Sequence, residues 1–281
     1  MRVGLVGTSR WAVHVHGASA RAHPVADLVG VWGRTPERAS AAAAELNCAV
    51  AATFDELVEA CDVLTFAVPP DVQSRLALRA ATAGRRLVLE KPLTLDVASG
   101  QALVDAIGDT PSAVMLTRRW EPRTALQLQE LAAQGGWSSG RACFVNALTE
   151  EFLDASPWRR AHGALWDVGP HALSVLEAVL GRVTDLRAAS GRDGIVVLLL
   201  RHDSGAVSTA ELSLTATPAA AETSVSFRGA QGRSHELPPI GVEEVRAAHS
   251  AALSAVASGT GDSGLDASYG LHLTRLLAQA W

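Results

Sequence analysis

Over the first 118 residues, short apolar runs alternate with Ala-rich stretches of helical spacing. The runs at 2–6, 28–32, 63–68, 87–89 and 113–116 predict strands buried on both faces, the mark of a parallel sheet. Helices are expected between them at 12–22, 36–46, 54–60, 72–83 and 96–107, with Pro36 in a first turn and Thr35 as its N-cap. After Trp120 the texture changes. A helix at 124–134 stops at Gly135-Gly136, and strands are expected at 141–149, 183–190, 195–201, 206–215 and 223–228. Asp203-Ser204-Gly205 between two of these predicts a hairpin. Further helices are expected from about 165 to Gly181, at 242–257, and from a loop at 258–264 to Trp281. The pattern therefore predicts an α/β chain in two domains. Residues 1–118 are expected to form a doubly wound parallel sheet, and residues 119–281 a separate α+β domain.

Two turns of the first half carry candidate chemistry. Gly7-Thr8-Ser9-Arg10-Trp11-Ala12 follows the first strand and opens the first helix, where a dinucleotide fold holds its pyrophosphate. Gly7 and Ala12 meet the G-x-G-x-x-G/A pattern, while Ser9 stands in place of the middle glycine. A tight strand-to-helix turn without a ligand is the competing reading. At the end of the second strand no Asp or Glu is present to accept ribose hydroxyls; Arg34, Thr35 and Arg38 suit a 2′-phosphate, which favours NADP over NAD.

Composition sharpens the second turn. Of the 24 basic residues only Lys91 is a lysine, and it lies in Glu90-Lys91-Pro92, directly after the fifth strand. A compact ammonium at the carboxyl edge of a sheet can hold a substrate hydroxyl and stabilise charge developing on oxygen. Codon bias that left one lysine by chance explains the count equally well. Further on, Asp167 and His171 are four apart, hence on one helical face, with Pro170 in the first turn. A carboxylate beside an imidazole fixes its tautomer and suits it as a general base. An N-cap aspartate and a satisfied helix histidine are the plainer alternative.

The remaining composition excludes more than it assigns. A net charge of −5 with no basic stripe argues against nucleic acid. Three scattered cysteines (Cys48, Cys61 and Cys143) form no disulfide framework or zinc spacing, and His14-Val15-His16 lacks a completing acid, so no metal is expected. No charged leader or membrane-length apolar run is seen, which predicts a cytoplasmic protein. Tyr269 has Leu273 four residues on, which excludes the Tyr-x-x-x-Lys dehydrogenases, and no P-loop motif occurs.

The glycine turn, Pro69-Pro70, Glu90-Lys91-Pro92 and Asp167-x-Gly169-x-His171, in this order, resemble the glucose–fructose oxidoreductase / inositol dehydrogenase / MocA (Gfo/Idh/MocA) family. The resemblance implies an N-terminal Rossmann domain, a C-terminal domain with a large, mostly antiparallel sheet, and hydride transfer between NADP or NAD and a secondary alcohol or ketone of a sugar or polyol. It implies His171 as general acid/base, Asp167 orienting it, and Lys91 binding the reacting oxygen. Val68, Pro69 and Glu90 would contact the nicotinamide half, and Arg119, Trp158 and Arg159 would line the substrate pocket. A homodimer or homotetramer through the C-terminal sheet is also implied. Ser174 stands where many members carry an Asp. A cofactor-binding regulator of the same fold that turns nothing over is the alternative.

Overall fold

The computed structural model describes residues 1–230, 232–259 and 264–280. The chain divides into two compact units, residues 1–121 with 240–272, and residues 122–239 with 273–281. An expected division at 118/119 places the late helices with the second domain; packing groups residues 240–272 with the first. Most of the loop expected at 258–264, and Trp281, lie outside the described residues.

In the first unit the elements run β1 (Arg2–Val6), α1 (Ala18–Ala22), β2 (Asp27–Trp32), α2 (Pro36–Leu46), β3 (Ala49–Val50), α3 (Phe54–Ala60), β4 (Val63–Phe66), α4 (Pro70–Thr82), β5 (Arg86–Leu89), α5 (Val97–Ile107), β6 (Ser112–Val114) and α6 (Thr117–Trp120). The six strands pair in parallel in the order β3-β2-β1-β4-β5-β6. Val3, Leu5 and Val6 of β1, Leu64 and Phe66 of β4, and Leu87, Val88 and Leu89 of β5 are fully buried, as strands covered on both faces must be. The expected helix at 12–22 begins as a π-helical stretch, Ala12–Gly17, before α1. A Cβ on Gly17 would lie 2.5 Å from Leu46 of α2, so a glycine is what lets the two helices approach. Thr53 and Asp96 cap α3 and α5 through their side chains, whereas Thr35 holds the N-cap position of α2 without a side-chain bond. Two-residue β3 escaped the pattern because two exposed residues carry no periodicity.

The second unit contains α7 (Pro122–Gln134), β7 (Trp137–Val145), α8 (Glu150–Asp154), α9 (Pro157–Asp167), α10 (Gly169–Leu180), β8 (Val183–Ser190), β9 (Val196–His202), β10 (Val207–Ser213), β11 (Glu222–Gly229) and β12 (Gly232–Arg233). Its sheet has the order β12-β11-β7-β10-β9-β8 and is antiparallel except for β7 against β10. The expected hairpin is present: Gly205, at φ 86°, donates its N–H to the carbonyl of His202 at 3.0 Å. β9 alternates buried and exposed residues along its whole length, as a sheet covered on one face requires. The covered face meets α10, and Cβ on Gly140 would lie 2.9 Å from both Leu176 and Leu180. Residues 157–164, which carried no helix in the pattern, open α9, and the helix expected from about 165 to Gly181 is split between the end of α9 and α10.

Two helices follow. α11 (Val242–Ser258) packs within the first unit against α1, the π-helical stretch, β5 and β6. α12 (Ala267–Ala278) crosses the division at Leu273.

Candidate functional site

The strand order reverses between β1 and β4, and the carboxyl end of a sheet at such a switch point is where open α/β folds bind ligands. Gly7 lies there with φ 127°, and a Cβ would fall 2.5 Å from the carbonyl oxygen of Ala67, so only glycine fits this turn. Thr8 packs on Gly33, where a Cβ would lie 2.5 Å from its methyl. Ser9, in place of the middle glycine, accepts the N–H of Ala12 on its hydroxyl at 3.2 Å and so caps the helix start. Arg34, Thr35 and Arg38 are all exposed beyond β2.

Trp11 is 45% exposed, yet its indole N–H donates to Glu90 Oε1 at 2.7 Å. That bond joins the glycine turn to the Glu-Lys-Pro turn after β5. Val68 and the exposed Pro69, N-cap of α4, lie on the turn after β4. Lys91 is half-buried, and the Lys91–Pro92 peptide is cis. The segment is held from behind by Gln73 of α4, fully buried. Its amide donates to the carbonyls of Glu90 at 2.7 Å and Leu93 at 3.1 Å, and its oxygen accepts the N–H of Glu90 at 2.8 Å. Glu90 Oε2 accepts the N–H of Lys91 at 3.1 Å, and Oε1 also faces His16 Nε2 at 3.0 Å. Burial alone raises the proton affinity of Glu90, but His16, the Lys91 charge and the Trp11 N–H outweigh it and hold the carboxyl below its ordinary range.

In the second unit Asp167 ends α9 and His171 lies in the first turn of α10, with Val168 between the helices. The single continuous helix expected here is thus interrupted, at the point where Pro170 has no amide hydrogen to give. Asp167 is 5% exposed and accepts Arg159 Nε at 2.9 Å, a partner that the i,i+4 spacing did not suggest. Arg159 stacks over the rings of Trp158 at 4.6 Å and Phe152 at 5.3 Å, so two of the expected pocket residues share one cluster with Asp167. The His171 ring lies nearly parallel to that of Phe144, 6.4 Å between centroids. Ser174 is buried and donates its hydroxyl to the His171 carbonyl at 3.0 Å. Arg119, in the first unit, places its guanidinium 5.9 Å from the Tyr269 ring.

Gln73, Thr65 and His249 do not stand out in the sequence, and His16 does so only as a possible metal ligand. Gln73 left a faint signal, an amide at a position spaced with Ala77 and Ala80 on the buried face of α4. His14 instead pairs with Glu45 at 3.2 Å and His16 with Glu90. Among the described residues no group of three or more His, Cys, Asp or Glu is placed to hold a metal ion, and no helix is long and apolar enough to cross a membrane.

Strand order and glycine turn together define a dinucleotide-binding α/β unit. Comparison with known proteins narrows that class. Residues 1–117 match the model of the oxidoreductase family with NAD-binding Rossmann fold, and residues 126–235 match the GFO/IDH/MocA C-terminal domain. The chain belongs to the Gfo/Idh/MocA oxidoreductase family. It is similar to inositol 2-dehydrogenase of Rhizobium meliloti, 28% identical over 190 residues that make up 64% of this chain and 55% of that protein. D-apiose dehydrogenase of Paraburkholderia graminis is 29% identical over 197 residues, 63% of this chain and 50% of that protein. These matches span about half the length of the curated relatives. In fold the chain is similar to the WlbA dehydrogenase of Bordetella pertussis, solved with NADH and UDP-GlcNAcA, at a TM-score of 0.83 and 22% identity over 99% of this chain and 94% of that one.

Proposed function

We propose that the protein is an NAD(P)-dependent oxidoreductase that moves a hydride between nicotinamide and a secondary alcohol or ketone carbon of a sugar, polyol or related small molecule. The observation that carries this reading is the Glu90-Lys91 turn, clasped by Gln73 and tied through Trp11 to the glycine turn at the switch point. Bound nicotinamide supplies the hydride acceptor or donor. Gly7 lets the backbone turn sharply at the phosphate end, and the N–H groups opening the first helix face the same edge. Glu90, Val68 and Pro69 border the nicotinamide half. The Lys91 ammonium donates a hydrogen bond to the reacting oxygen and favours the alkoxide-like charge that develops as the hydride leaves. His171 takes the hydroxyl proton in oxidation and returns it in reduction, with Asp167 holding the imidazole. Trp158, Arg159 and Arg119 offer rings and guanidinium donors to substrate hydroxyls. Arg34, Thr35 and Arg38 favour NADP, since exposed cations and a hydroxyl stand where an acidic residue would accept ribose hydroxyls. The relatives' names support the sugar and polyol class. The exposed face of the second sheet is proposed to join copies of the chain into a homodimer or homotetramer.

The test is titration with NADPH and NADH, then a turnover screen over sugars and polyols with Lys91→Ala beside the wild type. NADPH is expected to bind about ten times more tightly, a difference of about 1.4 kcal/mol. Lys91→Ala is expected to lower kcat by about 100-fold or more with circular dichroism unchanged. Full activity in that variant overturns the mechanism, and tighter binding of NADH overturns the role of Arg34. Binding without turnover over a broad panel favours the regulator.

A further inference from the structure

Behind the Glu90 carboxylate a chain of buried polar side chains runs into the first unit and returns to its start. His16, fully buried, faces Glu90 Oε1 with Nε2 and lies 2.8 Å from Thr65 Oγ with Nδ1. Thr65 Oγ is also 2.8 Å from Nε2 of His249, which α11 brings in from far along the chain. His249 Nδ1 meets the Ser19 hydroxyl, and Ser19 Oγ lies 3.2 Å from the carbonyl oxygen of His16. The ring is therefore closed. His16, Thr65 and His249 are all 0% exposed and Ser19 is 4% exposed, so water is not at hand to repair a missing bond.

Counting hydrogens sets how many the ring must hold, because each hydroxyl has one to give and a neutral imidazole has one. With His16 neutral and donating to Glu90, Nδ1 must accept from Thr65, Thr65 must accept from His249 Nε2, and His249 Nδ1 must accept from Ser19. The Ser19 hydroxyl then faces two acceptors with one hydrogen, and the His16 carbonyl loses its bond. With hydrogens on both ring nitrogens of His16, Nδ1 donates to Thr65, Thr65 donates to His249 Nε2, His249 donates from Nδ1 to Ser19, and Ser19 donates to the carbonyl. All five contacts are made; an added hydrogen on His249 would make them too, but the charge it brings belongs on His16, whose Nε2 lies 3.0 Å from the Glu90 carboxylate.

We propose that His16 is held as an imidazolium, ion-paired with Glu90, and that it is a positioning residue which fixes the Glu90 carboxylate at the nicotinamide edge. The pair is a buried one that is stable only when its remaining polar atoms are satisfied, which the Thr65–His249–Ser19 ring does on one side and Trp11 and the Lys91 N–H do on the other. Desolvation and the neighbouring charge of His16 keep His249 well below the ordinary histidine range, hence neutral with a single N–H, as the ring requires. The positioning role rests on the function proposed above; the proton order does not.

The whole chain labelled with ¹⁵N on its histidine rings tests the proton order directly by NMR at pH 7.5, with His16→Gln and Thr65→Val assigning the resonances. Hydrogens on both nitrogens of His16, and on Nδ1 alone in His249, are expected; a bare ring nitrogen on His16 or a hydrogen on Nε2 of His249 overturns the proposal. The Trp11 indole N–H reports Glu90 without any cofactor. Its resonance is expected to move in His16→Gln and to stay in place in Thr65→Ser, which keeps the hydroxyl. An unmoved indole signal in His16→Gln overturns the positioning role, as does NAD(P)H affinity equal to wild type where about a tenfold loss is expected. Should the wild type bind neither nucleotide, the dehydrogenase reading falls while the ring resonances still decide the proton order.

Discussion

Asp62 shows how a residue at a sheet end acquires chemistry that its neighbours in sequence do not announce. The Arg2 side chain donates to it at 2.7 Å and the Arg2 N–H at 2.9 Å, and these bonds bring its carboxyl down to about 2. A carboxyl depressed in the folded state stabilises above its unfolded value, near 4, and that contribution is lost as pH falls through about 2. The side chain is 43% exposed, so solvent screening limits the gain to about 0.2–1 kcal/mol. Asp62→Asn is expected to lower the urea midpoint at pH 7, with the gap to wild type closing between pH values of about 4 and 2. A gap independent of pH would remove the carboxylate from the account. At this scale the sequence points to Lys91, Glu90, Asp167 and His171 as candidates because unusual residue types stand at element ends. Arg159 as the partner of Asp167 was not legible, since it comes from the opposite end of a helix that the hydrophobic pattern does not show.

Between elements, the turn after β5 depends on α4. The Gln73 side chain bonds both the N–H and the carbonyl of Glu90. Replacing it with Leu leaves those buried groups and the Leu93 carbonyl without a partner. Gln73→Leu is expected to cost about 2–4 kcal/mol in urea unfolding and to weaken cofactor binding as the turn loosens. A loss below about 1 kcal/mol would mean that the turn holds itself. The helices α2 and α3, with a periodic buried face, and the strands β1 and β8 were legible almost to the residue. Those ruled by other forces were not. β3 is two exposed residues, α8 is five residues led by a Thr149 cap, and α9 contains Gly163 at φ 64°.

At the scale of the whole molecule, the uncovered face of the second sheet leaves three aliphatic side chains bare among charged and polar neighbours. Val197, Leu199 and Val207 are 42%, 51% and 43% exposed on β9 and β10, with Leu199 opposite Thr209 and Arg187 in the ladder. Clustered aliphatic side chains on a sheet face mark a contact surface more often than a solvated one. For the homodimer or homotetramer proposed above, Leu199→Asp is expected to give monomer in size-exclusion chromatography with light scattering where the wild type gives the assembly. A wild type that is monomeric at tens of micromolar would sink that assembly.

Local order came from the chain itself: alternation and helical periodicity named the strands and helices, and end-of-strand chemistry named Gly7, Glu90 and Lys91, because these depend on neighbours within a few residues. Only the folded structure decided which distant side chains meet. His249 reaches Thr65 across 184 residues, Gln73 closes on Glu90 across 17, and the late helix α11 joins the first unit. The physical reason is that a hydrogen bond between remote side chains leaves no period in the chain, and a buried polar atom becomes costly enough to demand a partner only after packing has excluded water.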